Sequence, residues 1–353
     1  MSVMLTLSAS WRYFAFVFAL VGLLSGSARL VAEEIGDDEL PHQSAAANPT
    51  PAAIPAPASP SGPLRPQDQF WVVGTRHLDC VTTATLPPEL SLLRYDCQAG
   101  WKNETLSAFV ADASRAITVI YIPGNRVSNE EAVSRGWKLY HSLVAASDEE
   151  PLRLVVWSWP SDKVSHSLGK RDFQVKAART PSESYYLGWL LNQFDPAAKI
   201  SLIGFSYGSR IITGALHLAA GGDLYGVRLP GDASAYADRR VRVVLMAAAV
   251  HNYWLNPGEF HGLAFSQIDR LLLLYNTADV ALKHYHLAEP DGDPRALGYS
   301  GLPCGRLGPD AARVSQRDVR HEIGKQHAEL KYYASGSVVH DLQRYALWGP
   351  IGQ

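Results

Sequence analysis

The sequence predicts an α/β domain: a mostly parallel sheet with helices on both faces and an antiparallel edge at its N-terminal side. Three observations predict it. From Phe70 onward, apolar runs alternate with helical patterns, the order that a parallel sheet requires. Ile117–Ile122 is β-branched and continuously apolar, which means burial on both faces. The first two runs, Phe70–Leu78 and Leu92–Cys97, have no helical pattern between them, so they are expected to form the antiparallel edge.

The remaining elements follow in order. Ile117–Ile122 ends in Pro123-Gly124-Asn125. Ser128 is a helix N-cap, with Glu130 and Glu131 in the first turn where acids suit the helix dipole. Val133, Trp137, Tyr140 and either Leu143 or Val144 recur at helical spacing behind it. Then come a strand at Leu152–Trp157, a helix from about Ser182 through Phe194, and a strand at Ile200–Phe205. A helix over Tyr207–Ala220 follows, then strands at Val241–Ala247, Leu271–Tyr275 and, more weakly, Val314–Val319. An amphipathic helix capped by Ser335 and running to Leu347 closes the chain. The Gly/Pro-rich stretches Gly221–Asp238 and His286–Pro309 are expected to form lid loops.

Residues 1–32 and 33–69 are expected to lie outside this domain, which spans 70–353. The apolar run Tyr13–Leu24 follows Arg12 and precedes Ser25, Gly26, Ser27 and Ala28. It is short for a membrane span and has the pattern of an export signal, either cleaved or kept as an anchor. The protein is therefore expected outside the cytoplasm, released or membrane-associated through this end. Glu33–Gln69 carries eight prolines among Ala and Ser and is expected to be a disordered spacer.

Composition narrows the function classes. The chain is 47% hydrophobic, enough for a large core. With 32 Lys+Arg against 34 Asp+Glu and no long basic run, a nucleic-acid partner has no electrostatic support. Three cysteines do not make a disulfide framework. Cys80 and Cys97 are either bridged or two buried thiols, and Cys304 lacks metal-ligand spacing. No metal or cofactor is implied.

The chemistry centres on Gly204-Phe205-Ser206-Tyr207-Gly208. G-x-S-x-G alone is a weak signal, but here it joins a buried strand directly to a helix, the setting of a nucleophile elbow. A sharp turn lifts the Ser206 hydroxyl above the sheet edge, and the two glycines keep side chains away from it. The helix N-terminus supplies partial positive charge and unpaired N–H groups, so Tyr207 N–H is a natural oxyanion donor. A second donor is expected from the Pro123-Gly124-Asn125-Arg126 loop: the N–H of Asn125, with Gly124 as the alternative.

On such a sheet the acid follows a late strand and the base comes last. Leu271–Tyr275 runs into Asn276-Thr277-Ala278-Asp279, which makes Asp279 the acid. A helix N-cap is its competing role. Three late histidines compete for the base. His340 lies within the closing helix, away from its apolar stripe, and is expected to face solvent. His321 is close to a strand end. His327 lies in a loop after the last strand, from which it can reach a serine above the sheet. Ser206, Asp279 and His327 form the expected triad.

Val119–Gly124, Val155–Ser161, Leu202–Gly208, Asn276–Leu282 and the late His327 resemble the α/β-hydrolase superfamily. They are most similar to a poorly characterised bacterial branch with a Trp-Pro-Ser segment after the fourth strand. The resemblance covers roughly Phe70 to Trp348. It implies Asp279 as the acid, and it favours His327 over His340 because the base precedes a Ser-x-x-Val helix. Many such enzymes have His-Gly where this chain has Pro123-Gly124. The Trp157-Ser158-Trp159-Pro160-Ser161 segment either lines an aromatic acyl site beside Ser206 or packs the sheet end. The implied activity is a serine hydrolase acting on a small or lipid-like acyl substrate, most simply a carboxylic ester. Amides and thioesters are variants served by the same triad. The competing reading is a catalytically silent binding module on the same fold, tethered by the Pro-rich spacer.

Overall fold

The computed structural model describes residues 62–350, apart from 83–86, 112, 114, 115, 146–149, 165–168, 233–238, 288 and 290–292. The expected export signal and most of the expected spacer lie outside the described residues. The last residues of the expected spacer, however, belong to the folded domain. Asp68 is buried, its carboxylate accepts from the Tyr140 hydroxyl at 2.7 Å and from Leu152 N–H at 2.9 Å, and it pairs with Arg65. Proline content marks the spacer in the sequence, and a single buried carboxylate within it carries no periodic signal.

Nine strands form one sheet: β1 (Gln69–Gly74), β2 (Ser91–Asp96), β3 (Gly100–Asn103), β4 (Ile117–Ile122), β5 (Leu152–Ser158), β6 (Ile200–Phe205), β7 (Val241–Met246), β8 (Ile268–Tyr275) and β9 (Val314–Asp318). The helices are α1 (Leu106–Ala111), α2 (Asn129–Val144), α3 (Gly169–Leu191), α4 (Tyr207–Ala219), α5 (Val280–Lys283), α6 (Leu297–Ser300), α7 (Arg320–Ile323), α8 (Leu330–Ala334) and α9 (Gly336–Ala346). The strand order is β3-β2-β1-β5-β4-β6-β7-β8-β9. The β3-β2-β1 pairs are antiparallel and every pair from β1-β5 to β8-β9 is parallel. The antiparallel edge is thus as expected, with β3 as an added hairpin strand. Its four residues are half-buried or exposed, so no apolar run announces it.

The central strands read as continuous apolar runs because both faces are covered. All residues of β4, β5 and β6 are buried. Aromatic stacking closes one face, with Phe70 of β1 lying 3.8 Å from Trp137 of α2, ring centroid to ring centroid. Helix α2 starts as expected: Ser128 and Glu131 form a reciprocal capping box.

The helix expected from Ser182 begins earlier. Helix α3 spans Gly169–Leu191 and runs through Pro181. Proline lacks an N–H and leaves the carbonyl four residues back without its donor. Here that carbonyl belongs to Ala177, and the Thr180 hydroxyl donates to it at 2.8 Å. A neighbouring side chain therefore supplies the donor that the proline lacks.

Cys80 and Cys97 are unbridged, and both are exposed rather than buried. Cys304 is also a free thiol. Among the described residues no helix is long and apolar enough to cross a membrane, and no group of three or more His, Cys, Asp or Glu could hold a metal ion.

Candidate active site

Because β4, β6, β7, β8 and β9 are parallel neighbours, their C-terminal ends open on one edge of the sheet. The loops after them carry Pro123–Arg126, Ser206, Asp279 and His327. Ligand sites of open α/β sheets lie at this edge.

Ser206 stands between β6 and α4 with φ 54° and ψ −117°. A non-glycine residue with positive φ is strained, and such strain persists only where the surroundings over-determine it. Here the Ser206 N–H donates to Met246 O at 3.0 Å. Its carbonyl accepts from Ser209 N–H at 3.1 Å and Ala249 N–H at 3.2 Å. The glycines of the motif are sterically required. A Cβ on Gly208 would come within 2.1 Å of the Ile122 carbonyl oxygen, and one on Gly204 within 2.7 Å of Ser209 N. Ser206 is the N-cap residue of α4, yet its side chain makes no capping bond.

The sheet end now has an elbow on β6, parallel strands on both sides and an antiparallel N-terminal edge. Strand order and directions make the mostly parallel α/β sheet with an antiparallel N-terminal edge that the sequence predicts. Asp279 and His327 take their places on it as neighbours. The His327 Nδ1 lies 2.7 Å from Asp279 Oδ2. Asp279 is buried, whereas the His327 side chain retains 22% of its exposure. The other carboxylate oxygen, Oδ1, accepts from Leu282 N–H at 3.0 Å, so Asp279 also caps α5. The N-cap role and the histidine-pairing role coexist, one oxygen each.

The loop bearing His327 is stitched to the loop bearing Asp279. Asn276 Nδ2 donates to Gly324 O at 2.8 Å, and Val280 N–H donates to Lys325 O at 3.1 Å. The His327 ring packs 4.8 Å from the ring of Phe205, the residue before Ser206. Tyr332 in turn meets Phe205 edge-on at 5.9 Å. Burial pushes the Tyr332 hydroxyl well above the ordinary tyrosine range, and the Asp279 charge adds to it. The competing histidines lie elsewhere: His321 is exposed on α7 and His340 is exposed on α9.

Tyr207 is the first residue of α4, so its N–H has no intrahelical acceptor. Its own hydroxyl is pushed up by burial. Gly124 lies against the elbow: a Cβ there would sit 3.0 Å from the Phe205 ring and 3.1 Å from Ser206 Cβ. The side chain of the next residue, Asn125, is held by the buried Asp172, to which Nδ2 donates at 3.1 Å. Arg126 follows at φ 60° and donates to the same Asp172 oxygen at 2.6 Å. Burial raises the Asp172 carboxyl, but Arg126, Val164 N–H and Asn125 outweigh it and hold the group below the usual carboxylate range.

Of the buried charged residues that the sequence reading did not single out, two join the segments of the site to the rest of the fold. Arg210, one helical turn after Ser206, donates to Ala249 O at 2.9 Å and also to Tyr285 and Glu289. It thereby ties α4 to the segment beyond Asp279. Its signal was a cation inside a helix that is buried along its whole length. Glu329, two residues after His327, accepts from Tyr121 of β4, from Arg135 of α2 at 2.8 Å and from Tyr333 at 2.7 Å. No local pattern distinguishes it from a surface glutamate.

No protein-family model matches this chain, and no curated protein matches it. Among solved structures, an acetyl xylan esterase refined at 0.90 Å aligns at 17% identity and TM-score 0.34, over 66% of this chain and 96% of its own. The catalytic core domain of acetyl xylan esterase from Trichoderma reesei aligns at 14% identity and TM-score 0.36, over 67% and 97%. Thermogutta terrifontis esterase 2 aligns at 12% identity and TM-score 0.31, over 71% and 88%. Likenesses this distant transfer neither an activity nor a residue role.

Proposed function

We propose that the chain is a serine hydrolase of acyl substrates, most simply carboxylic esters, acting through Ser206, His327 and Asp279. The observation that carries the reading is the conjunction at one sheet edge of a strained serine elbow with a histidine paired to a buried carboxylate. In this reading His327 Nε2 takes the Ser206 proton as Oγ bonds to the acyl carbon. Asp279 accepts a hydrogen bond from His327 Nδ1–H, which sets the tautomer and stabilises the imidazolium. The negative oxygen of the tetrahedral intermediate is met by Tyr207 N–H and Asn125 N–H. The carbon–oxygen bond to the leaving group then breaks, and His327 returns the proton to the departing alkoxide. Water repeats the sequence on the acyl-enzyme, releasing the carboxylic acid and free Ser206.

The reading includes export: the apolar run Tyr13–Leu24 and the Pro-rich stretch behind it support an activity outside the cytoplasm, released or held at a membrane. The test is direct. Wild-type protein is expected to hydrolyse p-nitrophenyl esters and to take up a fluorophosphonate label. Ser206→Ala is expected to lose both while its circular dichroism is unchanged. Label uptake that survives the substitution would overturn the assignment of the nucleophile.

A further inference from the structure

The Trp157-Ser158-Trp159-Pro160-Ser161 segment leaves the end of β5 and runs beside the loop Pro123–Val127. Trp157 and Trp159 are fully buried, and their indole N–H groups point to different places. Trp157 donates to Glu183 at 3.1 Å, away from the loop. Trp159 donates to the Pro123 carbonyl at 2.9 Å. Ser161, also fully buried, donates its hydroxyl to the Val127 carbonyl at 2.7 Å, and its own carbonyl accepts from Val127 N–H at 3.2 Å. The segment therefore grips the loop at both ends.

The middle of the loop is gripped from the other side. Asp172 of α3 holds the Asn125 amide and the Arg126 guanidinium. Arg126 N–H donates to Asn125 Oδ1 at 2.8 Å, which fixes the Asn125–Arg126 peptide plane. Trp159 fixes the Pro123–Gly124 plane by its carbonyl. A peptide is planar, so fixing one of its polar groups fixes the direction of the other. The Gly124–Asn125 peptide, which carries the Asn125 N–H, is left between two planes that cannot turn. Neither indole is placed to line an acyl pocket.

We infer that Trp159 and Ser161 frame the oxyanion loop, and that Trp159 is a positioning residue that aims the backbone donor of Asn125 at the reacting carbonyl. The inference rests on the hydrolase reading and deepens it. For Trp159 it replaces an acyl-binding role with a role in transition-state geometry. A donor displaced by a fraction of an ångström loses much of its effect on a developing charge, because oxyanion stabilisation depends on preorganised distance.

The test compares Trp159→Phe with Trp157→Phe, two losses of a buried indole hydrogen bond from the same segment. Active sites are counted by fluorophosphonate titration. Then kcat and KM for p-nitrophenyl acetate and the inhibition constant of an aryl trifluoromethyl ketone are measured per titrated site. The ketone adds to a serine to form a tetrahedral oxyanion, so its affinity reports the donor geometry. Trp159→Phe is expected to lower kcat by about tenfold or more, to leave KM within about twofold, and to weaken the ketone by the same factor as kcat. Trp157→Phe is expected to leave both ratios near wild type even if its melting temperature falls. If Trp159→Phe yields no titratable sites, Ser161→Ala is read in its place with the same expectation. Wild-type kcat and ketone affinity in the Trp159 or Ser161 variant would overturn the inference alone, as would equal effects in the Trp157 control. A wild type that neither takes the label nor turns over would overturn the hydrolase reading, and this inference with it.

Discussion

Asp279 divides its carboxylate between two partners: Oδ2 meets His327 Nδ1 at 2.7 Å while Oδ1 caps helix α5 through Leu282 N–H at 3.0 Å. The two roles can be separated by substitution. Asp279→Asn keeps an oxygen for the cap but presents an amide to the histidine. It is expected to lower kcat by roughly a hundredfold to ten-thousandfold with a small change in melting temperature. Asp279→Ala should be equally inactive and about 1 kcal/mol less stable, because the cap goes too. Ester turnover and urea unfolding of the two variants check this. Equal stability in both would mean that the cap contributes nothing.

The glycines around Ser206 should respond in opposite ways. Gly208→Ala drives a Cβ into backbone at 2.1 Å and is expected to cost about 3 kcal/mol or to prevent folding. Gly124→Ala meets the Phe205 ring and Ser206 Cβ at 3.0 and 3.1 Å, contacts that small shifts can relieve. It should fold with a loss of about 1 kcal/mol while turnover falls by roughly tenfold or more, because those shifts move the elbow against the oxyanion loop. Chemical denaturation together with kcat separates the two cases.

Glu329 offers a stability test beside the site. Its buried carboxylate collects Tyr121, Tyr333 and Arg135. Burial pushes the Tyr121 hydroxyl up, and the adjacent carboxylate adds to it. Glu329→Gln removes the charge-assisted acceptor and leaves Arg135, which is partly solvated, to water. A loss of about 2 kcal/mol is expected in urea. Because His327 lies two residues away, kcat should fall as well. A variant as stable as wild type would show that the network adds nothing to the fold.

A pH dependence follows from His251. This ring is stacked on Trp254 at 4.1 Å. Burial, helped by the nearby Arg210, lowers its pKa to about 3. Below the ordinary histidine value of about 6.5 the unfolded chain binds a proton at this position and the folded chain does not. Stability is therefore complete above pH 6.5 and declines as pH falls from there toward 3, by about 1.4 kcal/mol per pH unit once well below 6.5. His261 is lowered by burial too, so the wild-type slope should be steeper than one histidine explains. His251→Asn should flatten the slope by the share of one group, read from urea midpoints between pH 4 and 7. An unchanged slope would remove His251 as its source.

Much of the fold was legible because its signals are local. Ile200–Phe205 and Ile117–Ile122 have the strand bounds that their apolar runs indicate. The Ser128 cap needed only the residues three positions on. The misreadings have local causes as well. The helix expected from about Ser182 starts at Gly169, and within it Thr180 supplies the donor that Pro181 lacks. The β3 strand lacks an apolar face. Cys80 and Cys97 gave no sign of their exposure.

The sequence by itself determined the class of sheet, the placement of Ser206 at a strand-to-helix turn, and the loop positions of Asp279 and His327. Periodicity and turn chemistry are set by residues within a few positions of one another. Only the tertiary structure decided which late histidine meets Asp279, that Trp159 grips Pro123 rather than lining a pocket, and that Glu329 joins the histidine segment to β4. Those partners are 48, 36 and 208 residues apart. Their contact depends on parallel strands bringing distant loops to one edge and on the direction of single hydrogen bonds, and neither is written in any short window of the chain.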